Sequence, residues 1–266
     1  MITVQKNAAS VFTRLGQLGW FYVRSAFASP QRFVGLLRRP VGAALDAEFE
    51  AVSPLPVLPV PLRNALGREW ALLPPRGGFA GGNQDPTGLL YLVTIARALN
   101  ARTIFEIGTY NGLTALTLAR NLPTAEVLTL DLPSRVQPAM PILESDVQHI
   151  NGGATRAYEG QPEAERIVQL LGDSAAFDFG PWYGTCQLVY VDGAHSFQYV
   201  ENDSRHAFGL VSECGAIVWD DYWRPVPDVA RYLNPLGKSN IFRLPESRLV
   251  VWLTDQAMDQ LLARGT

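Results

Sequence analysis

The chain has 266 residues, of which 47% are hydrophobic, and its 22 basic and 25 acidic side chains give a formal net charge of −3. This length suits one α/β core with an appendage better than two full domains, and the charge gives no general attraction for nucleic acid. The two cysteines, Cys186 and Cys214, lie in hydrophobic stretches without the spacing of metal ligands, so we expect buried free thiols. Because no apolar run could span a bilayer and no signal-peptide pattern is visible, we expect a soluble, cytoplasmic protein.

Residues 1–40 carry basic and aromatic side chains but no Asp or Glu. Apolar residues from Val11 to Ala26 recur at helical spacing and predict an amphipathic helix, and Ser29-Pro30 predicts a second helix that ends before Pro40. Two interpretations stay open. The segment contacts a membrane surface or an acidic partner, or it packs on the main domain or on a second subunit of a homo-oligomer.

The following stretch is rich in proline and glycine. The repeated prolines of residues 53–62 predict an extended connector, and the glycines of residues 74–82 predict a loop beside a ligand. We therefore predict two regions: a helical N-terminal extension with its connector at residues 1–80, and a ligand-binding domain at residues 81–266.

Strands and helices alternate in the second region. Asp85-Pro86 has the form of a helix start, and apolar residues continue through Leu99. Five β-rich runs follow, at residues 103–107, 126–130, 167–171, 188–191 and 216–219, with helices predicted at 113–120 and 199–211. Residues 241–244 and 249–253 predict a terminal β-hairpin. This order predicts an α/β fold with a doubly wound, mostly parallel sheet of seven strands and an antiparallel C-terminal hairpin.

The connection between the second and third strands, residues 132–166, is longer than one crossover helix requires. It is either a lid or substrate wall, or a helix with an idle loop.

Polar groups follow each of the five strands directly. They are the turn from Glu106 to Gly112, then Asp131, Gly172-Asp173-Ser174, Asp192-Gly-Ala-His195 and Asp220-Asp221. Because open α/β sheets bind ligands at the carboxyl ends of their strands, we expect these groups to form one site.

The first turn favours a cationic ligand over a phosphate. Glu106 would repel a pyrophosphate but suits an ammonium or sulfonium group, and Gly108 and Gly112 are spaced G-x-x-x-G rather than G-x-G-x-x-G. At the end of the second strand, Asp131 suits a ribose diol, because a carboxylate accepts two hydroxyl hydrogen bonds.

The run Phe-Glu-Ile-Gly-Thr-Tyr-Asn-Gly-Leu-Thr-Ala-Leu at residues 105–116 resembles motif I of class I S-adenosylmethionine-dependent methyltransferases. The resemblance extends through the later strand ends, covers roughly residues 84–253, and is strongest to metal-dependent O-methyltransferases of the catechol, caffeoyl-CoA and macrolide-sugar types. It implies a Rossmann-like fold and a cofactor site for S-adenosylmethionine, with these residues: Glu106, Gly108, Thr109, Tyr110, Gly112, Asp131, Asp173, Ser174 and Asp192.

The same resemblance implies a reaction centre. Asp192, Asp220 and Asp221 match positions that hold Mg²⁺, and carboxylate oxygens suit such a hard cation. His195 lies three residues after Asp192, where these families place a catalytic base, and its ordinary pKa near 6.5 suits that role. If the strand end does not turn there, Asp220 or Asp221 caps the next segment or orients His195 instead.

The predicted function is methyl transfer to a hydroxyl of a small molecule of the sugar or natural-product type, with Asp192 and His195 at the reacting centre. An N-methyltransferase on the same fold and a non-catalytic scaffold are the alternatives. Four aromatic side chains either line the acceptor pocket or belong to the core: Trp182, Tyr183, Tyr222 and Trp223. His149 and His206 have no predicted role.

Overall fold

The computed structural model describes residues 53–74, 84–134, 136–147, 149–150, 156–223 and 226–265. The helices predicted before residue 40 and most of the glycine-rich segment lie outside these residues. The membrane, partner or subunit contacts proposed for residues 1–40 therefore stay predictions.

A seven-stranded sheet forms the centre of the fold, in the order β3-β2-β1-β4-β5-β7-β6. Strands β1 to β5 are parallel, and β7 pairs antiparallel with both β5 and β6. The fold predicted from the sequence is confirmed, including the terminal hairpin. The strands are β1 (Thr103–Ile107), β2 (Glu126–Asp131), β3 (Ile167–Leu171), β4 (Cys186–Val191), β5 (Val211–Trp219), β6 (Ile241–Arg243) and β7 (Val250–Leu253).

Helices connect the strands and cover both faces of the sheet. The described helices are α1 (Val60–Leu66), α2 (Pro86–Ala98), α3 (Leu113–Asn121), α4 (Glu144–Val147), α5 (Phe197–Leu210), α6 (Pro227–Leu233) and α7 (Asp255–Gly265). Asp85 caps α2, since its Oδ1 accepts a hydrogen bond from the Gly88 N–H at 2.8 Å, as the Asp-Pro pair predicted. None of the described helices is long and apolar enough to cross a membrane.

The proline-rich stretch is not extended throughout, which corrects the prediction of a connector over residues 53–62. Helix α1 begins at Val60, because a proline in the first helical turn costs no hydrogen bond. Leu58 and Leu62 are buried, and the Leu58 N–H donates to the Arg243 carbonyl at 2.9 Å. The compact unit that contains the sheet begins at Pro54.

The central strands are buried on both faces, which explains their nearly continuous apolar sequences. In β1, Ile104 packs in the apolar cluster that includes residues of α1, α2, α3 and α7. Phe105 points to the opposite face, where its ring lies 5.5 Å from Phe179 and 5.7 Å from Trp182. Cys186 is buried and Cys214 half-buried, and both are free thiols. This packing holds the carboxyl ends of β1 to β5 in fixed positions.

Candidate active site

A cavity of about 450 Å³ lies at the carboxyl ends of β1 to β5. It has the size of a small-molecule site. The structure therefore brings most of the predicted residues together, as expected for the ends of parallel strands. Those that line the cavity are Gly108, Tyr110, Asp131, Asp173, Ser174, Asp192, His195, Asp220 and Asp221.

Gly108 lets the ends of β1 and β4 approach each other. Its φ is +103°, and a Cβ atom there would lie 1.9 Å from the carbonyl oxygen of Asp192. The Asp192 N–H donates to the Ile107 carbonyl at 2.8 Å. A side chain at residue 108 would therefore separate the two strand ends that form the floor of the cavity.

Three predicted cofactor residues are not among those that line the cavity. Glu106 is only 1% exposed and accepts a hydrogen bond from Thr129, and burial raises the pKa of Glu106 well above its ordinary value. The Thr109 hydroxyl lies 2.7 Å from the Thr129 hydroxyl. Gly112 begins α3 with φ +75°, where a Cβ would lie 2.5 Å from the ring of Tyr158. All three shape the turn beneath the cavity.

Asp131 is already paired in this structure. The Arg156 Nη2 donates to the Asp131 Oδ2 at 2.6 Å, and both side chains are largely buried. Burial raises the pKa of Asp131, and the positive charge of Arg156 opposes that rise. The sequence did not single out Arg156, because it comes from the long connection before β3 and no local motif marks it.

Asp173 ties three segments together beside the cavity. Its carboxylate accepts hydrogen bonds from the Ala175 N–H at 2.9 Å, the Ala139 N–H at 2.7 Å and the Tyr199 hydroxyl at 3.0 Å. Tyr199 also lines the cavity, next to Ser174 in the turn after β3. The carboxylate thus anchors the long connection and α5 to this turn.

His195 is held by Asp146, a residue that the sequence did not single out. The two Asp146 oxygens accept hydrogen bonds from the backbone N–H of His195 at 2.8 Å and from its ring Nδ1 at 3.0 Å. Because a carboxylate only accepts, Nδ1 carries the hydrogen, and the deprotonated ring nitrogen of the neutral form is Nε2. Nε2 is buried without a hydrogen bond to the described residues, 3.5 Å from Asp221 and 3.7 Å from Asp192.

In the pair of His195 and Asp146, the pKa of the histidine is raised and that of the aspartate is lowered. Burial alone would lower the pKa of His195, but the carboxylates of Asp146, Asp192 and Asp221 outweigh it and raise the pKa well above 6.5. Burial raises the pKa of Asp146, but its hydrogen bonds from His195 outweigh that and lower it below its ordinary value. Both shifts favour the charged forms, so the Asp146 carboxylate stabilises the imidazolium that forms when His195 takes up a proton.

Asp192, Asp220 and Asp221 converge as the sequence predicted. Burial and, after it, the charge of Asp220 raise the pKa of Asp192 to about 7 and that of Asp221 to about 6. The Tyr190 hydroxyl donates to Asp192 at 2.9 Å. Asp221 has φ +56°, an uncommon backbone conformation for a residue other than glycine, so the chain does turn sharply at the end of β5.

The three carboxylates do not form the predicted magnesium site. Arg248 lies among them, with its Nη1 2.9 Å from Asp221 and its Nη2 3.7 Å from Asp220. Among the residues that the structure describes, no group of three or more His, Cys, Asp or Glu side chains is arranged to hold a metal ion. Since a guanidinium already lies against two of the three proposed ligands, the residues present do not fit a divalent cation.

The long connection before β3 forms one wall of the cavity, which decides between the two interpretations of that segment. Its residues in the wall include Leu132, Pro138, Ile142, Ser145, Asp146, His149 and Ile150.

His149, for which the sequence indicated no role, is part of this wall, and its ring lies 5.3 Å from that of Tyr110. His206 lies elsewhere, where its Nδ1 is 2.8 Å from the hydroxyl of Tyr183.

Of the four aromatic residues proposed for the acceptor pocket, only Trp223 lines the cavity. Trp182 packs against Phe105, and Tyr183 is exposed outside the cavity. Tyr222 is buried and donates to Asn234.

Part of the chain matches a known protein family. Residues 105–222 match the family model of a methyltransferase domain, a range that spans the carboxyl ends of β1 to β5. The match supports the methyltransferase class that the resemblance of residues 105–116 to motif I predicts. A search of the curated proteins found no match.

Several solved structures are similar to the chain. The O-methyltransferase TomG from Streptomyces achromogenes, solved with S-adenosylmethionine, is 18% identical over 79% of this chain and 96% of its own, with a TM-score of 0.45. An O-methyltransferase from Bacillus cereus, solved with S-adenosylhomocysteine, is 16% identical over 79% of this chain and 97% of its own, with a TM-score of 0.45. The methyltransferase PaMTH1 from Podospora anserina is 18% identical over 81% and 96%, also with a TM-score of 0.45.

Proposed function

We propose that the chain is an O-methyltransferase that transfers the methyl group of S-adenosylmethionine to a hydroxyl of a small molecule, with His195 as the base. The observation that carries the proposal is the pairing of His195 with Asp146, which leaves Nε2 buried at the cavity beside the strand ends. A hydroxyl is a poor nucleophile at neutral pH, so a base placed in this way supplies what the reaction requires.

The described residues suit the cofactor. Gly108 keeps the floor of the cavity free of a side chain, and Asp131, Asp173 and Ser174 line its other end. Bound S-adenosylmethionine supplies the methyl group on a positively charged sulfonium, and the carboxylates around the cavity favour a cationic ligand.

The chemistry at His195 is proton transfer. Its neutral Nε2 accepts the hydroxyl proton while the acceptor oxygen forms a bond to the methyl carbon and the bond from that carbon to sulfur breaks. The Asp146 carboxylate stabilises the resulting imidazolium, in the way that a buried carboxylate supports a catalytic histidine. Asp192 lies beside this nitrogen and can accept a hydrogen bond from a second hydroxyl of the acceptor.

The cavity wall supports an acceptor that combines hydroxyls with an apolar face. The carboxylates of Asp192 and Asp221 suit hydroxyl groups, and Trp223 presents an aromatic surface to the same space. A glycoside or a hydroxylated natural product has both properties.

The proposal is tested with purified protein, S-adenosylmethionine and a panel of polyhydroxylated glycosides, phenols and amines. We expect cofactor binding by calorimetry and transfer of the methyl group to oxygen, identified by mass spectrometry and NMR of the product. His195→Gln should lower kcat by roughly 10²- to 10⁴-fold and leave cofactor affinity within a few-fold. His206→Gln is the matched control, since His206 lies outside the cavity.

Three results would count against the proposal. Exclusive methylation of amines would favour the N-methyltransferase alternative, and cofactor binding without turnover on any acceptor would favour the scaffold. Unchanged turnover in His195→Gln would remove the histidine from the mechanism.

A further inference from the structure

We infer that Arg248 takes the place of a divalent metal ion at the Asp220–Asp221 pair, so that this site works without one. The inference deepens the proposed function, since it concerns the same cavity, but its test does not depend on turnover.

The backbone places Arg248 at this position. Strand β7 pairs antiparallel with β5, and Trp219 lies opposite Val250. Continued by two residues, this register places Arg248 opposite Asp221, and the Tyr222 N–H indeed donates to the Arg248 carbonyl at 2.9 Å. Arg248 is therefore a cross-strand neighbour of Asp221 rather than a distant side chain that happens to reach it.

The guanidinium contacts both carboxylates of the pair. Its Nη1 is 2.9 Å from the Asp221 Oδ1, and its Nη2 is 3.7 Å from the Asp220 Oδ2. Its central carbon lies 5.2 Å from the centre of the Trp223 ring, within the range of a cation–π contact. The cation thus has contacts on two sides, and its side chain is 31% exposed.

The carboxylates need a positive charge at this point. Asp220 is 5% exposed, and its Oδ1 makes no hydrogen bond to the described residues. Unpaired buried carboxylates are costly, and either a metal ion or a guanidinium can offset that cost. A divalent ion that coordinates Asp221 would bind its oxygens at about 2.0–2.6 Å, which places the ion against the guanidinium. The two cations compete for the same oxygens.

This arrangement changes how the acceptor is activated. A guanidinium neutralises Asp220 and Asp221 but does not coordinate the acceptor oxygen, so deprotonation of the acceptor depends on His195 alone. Asp192, whose Oδ1 lies 3.7 Å from the His195 Nε2, remains available to the acceptor hydroxyl.

The experiment measures Mn²⁺ binding, by calorimetry and by the electron paramagnetic resonance signal of the free ion, to the full chain without cofactor. We compare wild type, Arg248→Met, Arg248→Lys and Asp221→Asn. Arg231→Met is the matched control, because it removes a guanidinium from an exposed ion pair on α6. Thermal denaturation in EDTA and in Mg²⁺ provides a second readout.

We expect no saturable Mn²⁺ binding below about 1 mM to wild type, to Arg248→Lys or to Arg231→Met, a concentration at which dedicated sites are filled. Their melting temperatures should be equal in EDTA and Mg²⁺. Arg248→Met should melt at a lower temperature in EDTA, bind one Mn²⁺ at least tenfold more tightly than wild type, and recover stability with either ion.

One Mn²⁺ bound tightly by wild type and lost in a folded Asp221→Asn would overturn the inference. It would also be overturned if a folded Arg248→Met bound Mn²⁺ no better than wild type, because the carboxylates would then not form a cation site. A chain that binds neither Mn²⁺ nor S-adenosylmethionine would contradict the proposed function while the inference about Arg248 stands.

Discussion

Asp146 accepts two hydrogen bonds from His195, one from the backbone at 2.8 Å and one from the ring at 3.0 Å. Their residues are 49 positions apart in the sequence, and the short helix α4 brings them together. The contact with the ring fixes the tautomer of the imidazole, and the contact with the main chain holds the residue in position against the same carboxylate.

Asp146→Asn should therefore lower kcat by at least about 10²-fold, since general base catalysis contributes on this scale and the amide can favour the wrong tautomer. The affinity for S-adenosylmethionine, measured by calorimetry, should change little. Glu144→Gln on the same helix is the control, because it removes the same charge but has no contact with His195 among the described residues. Equal kcat in the two variants would contradict a positioning role for Asp146.

The same contact sets the pH dependence of the reaction. The carboxylates around His195 raise its pKa well above 6.5, and the base must be neutral to accept a proton. Activity should therefore be lost as the pH falls through that raised pKa, so the acid limb of kcat/KM lies above pH 6.5 in wild type. Asp146→Asn removes one carboxylate and should shift the remaining activity to lower pH. An acid limb at the same pH in both proteins would assign it to another group.

Gly108→Ala should abolish cofactor binding or destabilise the fold by several kcal/mol, because its Cβ would meet the Asp192 carbonyl at 1.9 Å. Gly160 also has a positive φ, +72°, but an added Cβ there meets nothing within 4 Å. Gly160→Ala thus isolates the backbone strain alone, which we expect to cost about 1 kcal/mol. Urea denaturation of the two variants measures the difference. Equal costs would show that the strand ends can move apart at residue 108.

The pairing of Asp131 with Arg156 should make substitutions at the two positions non-additive. Arg156→Met leaves the largely buried Asp131 carboxylate unpaired and should cost about 2–4 kcal/mol of stability. Asp131→Asn should weaken S-adenosylmethionine binding by about tenfold or more, since one charged hydrogen-bond acceptor is lost. A double-mutant cycle in urea measures the coupling of the two side chains, and additive stability changes would contradict the ion pair.

Asp203 should make the protein less stable as the pH rises. It is fully buried in α5, its Oδ1 accepts from Asn202 at 3.0 Å, and burial raises its pKa to about 6. An Asp in the unfolded chain titrates near 4, so the folded state holds this proton more tightly. The resulting stability is complete below about pH 4 and is lost as the pH rises through about 6.

Relative to wild type, Asp203→Asn should therefore gain about 2–3 kcal/mol between pH 4 and pH 7. Unfolding free energies from urea denaturation at several pH values measure this gain. Glu201→Gln, an exposed change of the same charge on the same helix, should show no such trend. A pH-independent difference between wild type and Asp203→Asn would show that Asp203 is not protonated in the folded protein at acid pH.

The positions of the strands along the chain could be predicted from the sequence because each strand depends on a short-range pattern. Runs of β-branched and aliphatic residues identify β1 to β5, and the parallel topology carries their ends to one edge. Asp192, His195 and Asp221 were predicted at one site for that reason. Arg248 was missed, although the register of the terminal hairpin contained the signal, since that register places residue 248 opposite residue 221.

Asp146 and Arg156 could not be found in this way. Both belong to the long connection before β3, whose path depends on contacts with residues far away in the sequence, and no periodic pattern marks it. The burial of Glu106 could not be predicted either. Whether a charged side chain at the end of a strand is exposed or buried depends on the neighbouring strand and on the helices that cover it.

By itself, the sequence determined the α/β fold and the strand ends that form the site, because both follow from local patterns along the chain. The methyltransferase class was indicated by the resemblance of residues 105–116 to motif I. Only the tertiary structure decided which groups neutralise the carboxylates at those strand ends. Charged groups interact through space rather than along the chain. The contact of Arg248 with Asp221 forms only when the terminal hairpin has folded, and that of His195 with Asp146 only when the long connection has folded.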